Sequence, residues 1–141
     1  MTRRTALILA LTPALCASLP GTALAAGGRP EGVRAVAGSW SFNRVGLAGD
    51  RYTGWIRIDR AGHVKNRTEW NGPTVQQDGH VRINGRTVEI VFTSHNLRRD
   101  AYTLDRFTCT MPEGDGPVNQ LVCMNNDGRG RSPEFRLDRT R

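Results

Sequence analysis

The sequence predicts an all-β domain in which eight antiparallel strands form a meander that closes into a small barrel. From Gly38 onward, no window of about 11 residues carries the apolar stripe of an amphipathic helix. Apolar residues alternate with polar ones instead, and turn signals such as Asn84-Gly85 separate the alternating segments. An open β-sandwich is the second choice, but sequential strands that must pair their edges favour a barrel.

The N-terminal segment, residues 1–26, is expected to be a secretory signal peptide. Two arginines near the start precede an Ala- and Leu-rich run, and the small residues Ala23 and Ala25 form a cleavage pattern. Residues 27–37 are rich in Gly and Arg and predict a flexible lead-in to a single all-β domain at 38–141. The expected location is therefore periplasmic or secreted, with no stable membrane span.

The first three strands are predicted from alternation around one turn. Strand one covers about 39–44, and strand two covers about 51–59. Gly62 supplies the left-handed residue of a three-residue loop that leads into strand three. This loop predicts four pairs with a shared inward face: Ile58 with Val64, Ile56 with Asn66, Gly54 with Thr68, and Tyr52 with Trp70.

The segment at 74–83 has two interpretations. It is one long strand with a bulge at Gly79, or Asp78-Gly79 is a turn and the domain has nine strands. The two-residue turn at Asn84-Gly85 would place Ile83 opposite Arg86. We prefer the long strand because it matches the length of the strand that follows.

Three more strands are expected at 101–111, 118–125 and 133–139. In the first of these, the alternation changes parity at Asp105-Arg106, which predicts a bulge or bend there.

Cys109 and Cys123 are the two cysteines of the expected mature chain. Two cysteines in an exported domain of this size most often form a disulfide. If Cys109 faces Cys123, the bond staples one hairpin, and closing a loop of 14 residues is worth about 3 kcal/mol in the chain-entropy model. A metal pair or two free thiols are the alternatives.

Gly38-Ser39-Trp40 at the head of strand one, followed by an eight-strand meander, resembles the lipocalin and wider calycin group. There a Gly-x-Trp opens the first strand, and an arginine of the last strand packs on the tryptophan. The resemblance implies that Arg136 covers Trp40 and fastens the last strand to the first, through a cation–π contact of about 0.5–2 kcal/mol. The chain is about as similar to secreted bacterial inhibitors of proteases and lysozyme that are small barrels with a disulfide.

Two surfaces are candidate binding sites. The inward face of strands two to four mixes polar and aromatic groups with apolar ones, which indicates either a ligand pocket or hydrogen-bonded core polars. Its candidate residues are Tyr52, Asn66, Thr68, Trp70 and Gln77. The outward face of the first hairpin carries an aromatic residue among basic ones, as an interface hot spot does. This Trp55 face consists of Trp55, Arg57, Lys65 and Arg67.

The remaining patterns argue against several classes of function. The formal net charge is +7, but acidic residues are scattered among the arginines, so no nucleic-acid partner is expected. No Gly-x-Ser-x-Gly, His-Glu-x-x-His or close carboxylate pair occurs, so we expect neither an enzyme nor a cofactor. A metal site at His63, His80 and His95 would require the nine-strand alternative, so none is expected.

The predicted function is therefore that of an exported binding protein that carries an unknown small molecule in the barrel. The alternative is a protein-binding module, such as an inhibitor or a cell-envelope component, that acts through the Trp55 face.

Overall fold

The computed structural model describes residues 30–70, 72–97 and 102–141. It consists of one short helix followed by eight strands: α1 (Pro30–Val36), β1 (Gly38–Val45), β2 (Arg51–Ile58), β3 (His63–Trp70), β4 (Thr74–Asn84), β5 (Thr87–His95), β6 (Arg106–Thr110), β7 (Gln120–Asn125) and β8 (Phe135–Arg139). The expected signal peptide at 1–26 lies outside the described residues. Within the described ranges, no helix has the length and apolar character needed to cross a membrane.

The strands form a closed antiparallel barrel, as predicted. Each strand pairs with its neighbour in sequence, and β1 also pairs with β8, where Trp40 lies opposite Arg139 and Phe42 opposite Leu137. Closure gives every strand two partners, which removes the exposed edges of an open sheet.

The predicted register of β2 and β3 is confirmed at all four pairs. β4 is one continuous strand, so the barrel has eight strands and not nine. Its register with β5 shifts between Asp78 and Gly79. Gly79 is required here because a Cβ at this position would lie 2.1 Å from the carbonyl oxygen of Val91.

The predicted register between β4 and β5 is wrong by two residues. Ile83 lies opposite Val88 rather than Arg86, because the turn occupies Gly85 and Arg86, with a φ of 57° at Gly85. The Arg86 guanidinium donates to the carbonyl oxygen of Met111 at 2.8 Å, which holds this turn against the loop after β6. From Gly79 to Asn84 this even shift leaves the side chains on their predicted faces, whereas beyond it the extra residue in β5 places Ser94 opposite Asp78 on the outer face.

Aromatic side chains fill the middle of the barrel. Phe107 packs edge-to-face with Phe92 and Phe135, at centroid distances of 5.5 and 5.1 Å. The predicted disulfide joins Cys109 to Cys123, which lie directly opposite each other in β6 and β7 and are buried. An eight-stranded barrel is just wide enough for side chains to occupy its interior, and here they do so.

α1 covers one end of the barrel, called here the closed end. The part of the predicted flexible lead-in that begins at Pro30 is thus a helix. Val36 is fully buried, Val33 packs on the core, and the Trp40 indole donates from Nε1 to the carbonyl oxygen of Val36 at 2.9 Å. This buried apolar side of α1 explains why a segment with little apolar content is ordered.

The residue that covers Trp40 is Arg139, and the expectation of Arg136 is wrong. The Arg139 guanidinium lies 4.3 Å from the indole centroid, whereas Arg136 is exposed. Strand alternation explains the correction: Phe135 and Leu137 face the core, so Arg136 must face outward and Arg139 inward.

Unequal strand lengths create a recess at the opposite end, called here the open end. β1 to β5 are 8–11 residues long, whereas β6 to β8 have 5 or 6. The short strands are flush with the others at the closed end, since Thr87 pairs with Thr110 and Trp40 with Arg139. Their other ends therefore stop below the rim.

Candidate ligand pocket at the open end of the barrel

A pocket of about 230 Å³ occupies the recess above the short strands. Its walls include three aromatic side chains, its floor is a buried polar cluster, and charged residues of two loops form its rim. The aromatic walls are Tyr52, Trp70 and Tyr102; the floor is Arg44, Asp105 and Asn125; and the charged rim residues are Asp50, Asp127 and Arg129. The loops are residues 46–50, between β1 and β2, and residues 126–134, between β7 and β8.

Asp105 is the centre of the floor. Its Oδ1 accepts hydrogen bonds from Arg44 Nη2 at 2.8 Å and from Asn125 Nδ2 at 2.6 Å. Its Oδ2 accepts from the Tyr102 hydroxyl at 2.6 Å and from Gln77 Nε2 at 2.7 Å. Both oxygens of this buried carboxylate are thus satisfied and its charge is paired, as burial requires.

Arg44 lies between this carboxylate and the aromatic wall. Its side chain is buried, and its guanidinium carbon is 4.1 Å from the centroid of the Tyr52 ring. Its side-chain hydrogen bonds, to Asp105 and Tyr102, use Nη2, and its Nε has no partner among the described residues. The indole nitrogen of Trp70 is likewise buried without a partner in that part of the chain. Two residues of the lining therefore carry unsatisfied donors.

The two phenols of the pocket stay protonated near neutral pH. Burial raises the pKa of Tyr102, and the neighbouring Asp105 carboxylate raises it further by its charge and its hydrogen bond. Burial also raises the pKa of Tyr52, and the Arg44 charge opposes this effect. Both rings therefore remain neutral surfaces.

The structure separates the five predicted inward residues into two groups. Tyr52 and Trp70 line the pocket. Asn66, Thr68 and Gln77 are buried below it; the Thr68 hydroxyl donates to Asn66 Oδ1 at 3.0 Å, and Gln77 binds Asp105. Asn66-Arg67-Thr68 matches the Asn-x-Thr pattern of a glycosylation site, but Asn66 is buried, so the match is coincidental.

Sequence reasoning missed Arg44, Tyr102 and Asp105. A signal existed for Arg44, because it shares the parity of Trp40 and Phe42 and so must face inward. Asp105 coincides with the predicted break in alternation, where the chain enters β6.

The histidines do not form a metal site in the described part of the chain. His63 pairs with His80 across β3 and β4, whereas His95 lies near the open end, with its ring centroid 6.2 Å from that of Tyr102. No group of three potential metal ligands occurs among the described residues.

The Trp55 face lies on the outer wall of the barrel. Trp55 is opposite Arg67 in the register of β2 and β3, and Arg57 is opposite Lys65, as predicted. Trp55 is 44% exposed, so the aliphatic stems of its neighbours do not cover it.

These features define the class of the protein as a closed eight-stranded β-barrel with a pocket at one mouth. Its fold is similar to that of a de novo designed protein described as a fluorescence-activating β-barrel. The TM-score is 0.52 at 14% sequence identity, and the match covers 77% of this chain and 96% of the designed one. No family model matches the chain, and the comparison with curated proteins gave no significant match.

Proposed function

We propose that this protein binds a small ligand in the pocket at the open end of its barrel. The observation that carries the proposal is the lining, in which three aromatic side chains stand beside Arg44, and Arg44 Nε and Trp70 Nε1 are buried without a partner among the described residues. A pocket with apolar walls and a few convergent polar groups is the usual form of a small-molecule site.

The lining defines the chemistry of this ligand. An acceptor such as a carbonyl or carboxylate oxygen would satisfy Arg44 Nε or Trp70 Nε1, and a planar apolar part would pack on Tyr52 or Tyr102. The volume of about 230 Å³ lies below the roughly 300 Å³ at which drug-sized sites begin. The ligand is therefore small, and it enters the mouth rather than the filled interior.

The state of the ionisable groups supports binding over catalysis. A general base must be within hydrogen-bond reach of the substrate, but both carboxylate oxygens of Asp105 already accept hydrogen bonds from protein groups, namely Arg44 and three others. The phenols of Tyr52 and Tyr102 have raised pKa values and do not act as nucleophiles near neutral pH. We accordingly propose a binding protein and not an enzyme.

Export and kinship with lipocalins are part of the same proposal. The signal-like N terminus supports a periplasmic or secreted location, and the Cys109–Cys123 disulfide is compatible with it. Kinship is supported by the contact of Trp40 with an arginine of the last strand, here Arg139.

The test is native mass spectrometry of the protein purified from its source. We expect one small molecule to be retained at a ratio of one to one. Ala48 lies on the lining, and Ala48→Trp should fill the pocket and abolish retention. Ala61→Trp is the matched control, because Ala61 is an exposed alanine in the turn at the closed end. Absence of any small molecule, or equal retention by both variants, would contradict the proposal.

A second candidate function is favoured by the exposure of Trp55. In this alternative the protein is an inhibitor or cell-envelope component that binds another protein through the Trp55 face. It ranks below the pocket because Trp55 is the one exposed large apolar side chain of that face within the described residues; Val45 and Leu47 lie at the open end. A protein interface usually has a wider apolar centre.

A further inference from the structure

We propose that the Trp55 face binds an acidic polysaccharide, with the Trp55 indole as a stacking platform and Arg57, Lys65 and Arg67 as counter-charges. This site is independent of the pocket. Tyr52 and Trp55 lie on opposite sides of the barrel wall, because residues three apart in a strand point to opposite faces.

The indole and the cations form one continuous patch. Trp55 and Arg57 alternate outward on β2, and Lys65 and Arg67 do so on β3. The register places Arg67 directly opposite Trp55 and Lys65 opposite Arg57. Side chains opposite each other in antiparallel strands have Cβ atoms about 5 Å apart, so Arg67 lies beside the indole, and the pair of Arg57 and Lys65 is next to it on the same face.

The three cations are not held in salt bridges within the described residues, although Lys65 lies opposite Asp78 in the register of β3 and β4. Two exposed arginines elsewhere on the barrel have carboxylate partners, Arg86 with Glu113 and Arg106 with Glu89. Across residues 30–70, 72–97 and 102–141, none of Arg57, Lys65 and Arg67 forms a salt bridge. Their charge is available to an external anion.

Recesses lie on both sides of Trp55. The recess toward β4 has a volume of about 140 Å³ and is lined by Trp55, Arg67, Lys65, Gln76 and Asp78, among others. A shallower one of about 460 Å³ toward β1 is lined by Ser41, Thr53, Gly54, Trp55, Arg67, Glu69 and Thr140. Because both recesses share Trp55 and Arg67, a linear chain can cross the indole and occupy both.

The chemistry of the recesses favours a sugar polymer. The apolar face of a sugar ring matches a flat indole, and its hydroxyl groups match the mixed donors and acceptors Gln76, Thr53 and Glu69. Carboxylate or sulfate groups on the polymer would meet the three cations. Each feature of the patch therefore has a counterpart in one ligand class.

Two other macromolecules fit less well. A double-stranded nucleic acid is held through its backbone phosphates and keeps its bases stacked inside, so the Trp55 indole would have no ring to pack on. Single-stranded nucleic acids also stack successive bases on several aromatic residues, whereas this face offers one. A protein partner fits less well because this face lacks the wide apolar centre that a protein interface usually has.

The experiment is retention of the purified protein on immobilised alginate, a polyuronate, and on heparin, a sulfated polymer, with dextran and oligothymidylate in parallel. We expect binding to one or both acidic polymers, and none to dextran. Trp55→Ala should weaken affinity by about tenfold, as for a hot-spot aromatic. Arg67→Gln should weaken it by about threefold to tenfold, as expected for loss of one charge-assisted contact.

Arg136→Gln is the control for net charge. It removes one positive charge from an outward position on β8 that is exposed, and its affinity should stay within about twofold of wild type. Equal losses in the Arg67 and Arg136 variants would mean non-specific attraction and would overturn the proposal. So would tighter Trp55-dependent binding of oligothymidylate, or failure of both acidic polymers to bind at low salt. The Ala48→Trp variant, which should lose the pocket ligand, should bind the polymer as well as the wild type does. This result would separate the polymer site from the proposed ligand pocket.

Discussion

Removal of the Arg139 guanidinium tests how the barrel is closed. This group lies over the Trp40 indole at 4.3 Å and donates to three backbone carbonyls. Nη1 binds Ala37, Nη2 binds Ala35 and Nε binds Val118, each at 2.7 Å. One side chain therefore links β8, the start of β1, the C-terminal end of α1 and the loop before β7.

The expected cost of Arg139→Ala follows from these contacts. Hydrogen bonds from a charged donor contribute about 1.5–3 kcal/mol each when buried, and the cation–π contact about 0.5–2 kcal/mol. Arg139 is partly exposed, and water can replace the donors at the end of α1, so the contributions are well below their sum. We expect a loss of about 3 kcal/mol in the free energy of unfolding, or a fall in Tm on the order of 10 °C.

Urea denaturation followed by tryptophan fluorescence measures this loss. Arg139→Lys keeps the charge but cannot reach three carbonyls from a planar fork, so it should recover less than half of the stability. Arg136→Ala is the control and should change stability by less than about 0.5 kcal/mol. A loss below about 1 kcal/mol for Arg139→Ala, or equal losses for the two alanine variants, would refute the closure argument.

Three further predictions concern the floor of the pocket and the disulfide. Asp105→Asn leaves the buried Arg44 charge unpaired and should cost about 3–5 kcal/mol in urea denaturation; a loss below 1 kcal/mol would show that water compensates Arg44. Because the pKa of Tyr102 is raised on folding, its contribution to stability is full below about pH 10, the unfolded pKa, and falls by about 1.4 kcal/mol per pH unit above it. Tyr102→Phe should therefore reduce the slope of stability against pH in alkaline solution, and an unchanged slope would contradict that assignment. Replacing Cys109 and Cys123 together by Ser should lower the free energy of unfolding by about 3 kcal/mol. A reducing agent should cause a similar loss in the wild type and no change in the double variant.

Alternation predicted most of the fold because it depends on neighbours in sequence. A strand exposes alternate residues to opposite faces, so the inward positions of β2 and β3 and their pairing around Gly62 could be read from the chain. The predicted irregularity at Gly79 coincides with the register shift there, although the extra residue is Thr93 of β5. The opposition of Cys109 and Cys123 followed from the expected disulfide. The register of β4 with β5 failed because a contact distant in sequence, from Arg86 to Met111, sets the position of the turn.

The candidate site was only partly predictable. Tyr52 and Trp70 were named as inward residues, but the sequence contains no local signal that the barrel interior is filled and that the pocket lies at its mouth. That position depends on the lengths of β6, β7 and β8 relative to their neighbours. It also depends on Asp105, which gathers Arg44 and Gln77 from distant strands.

The sequence by itself determined an all-β meander of eight strands, the disulfide and the outward Trp55 face, because local alternation, turn residues and parity specify them. Only the tertiary structure decided that α1 covers one end, that Arg139 rather than Arg136 meets Trp40, and that the pocket lies at the other end. These features arise where segments distant in sequence meet, and closure of the barrel is what brings them together.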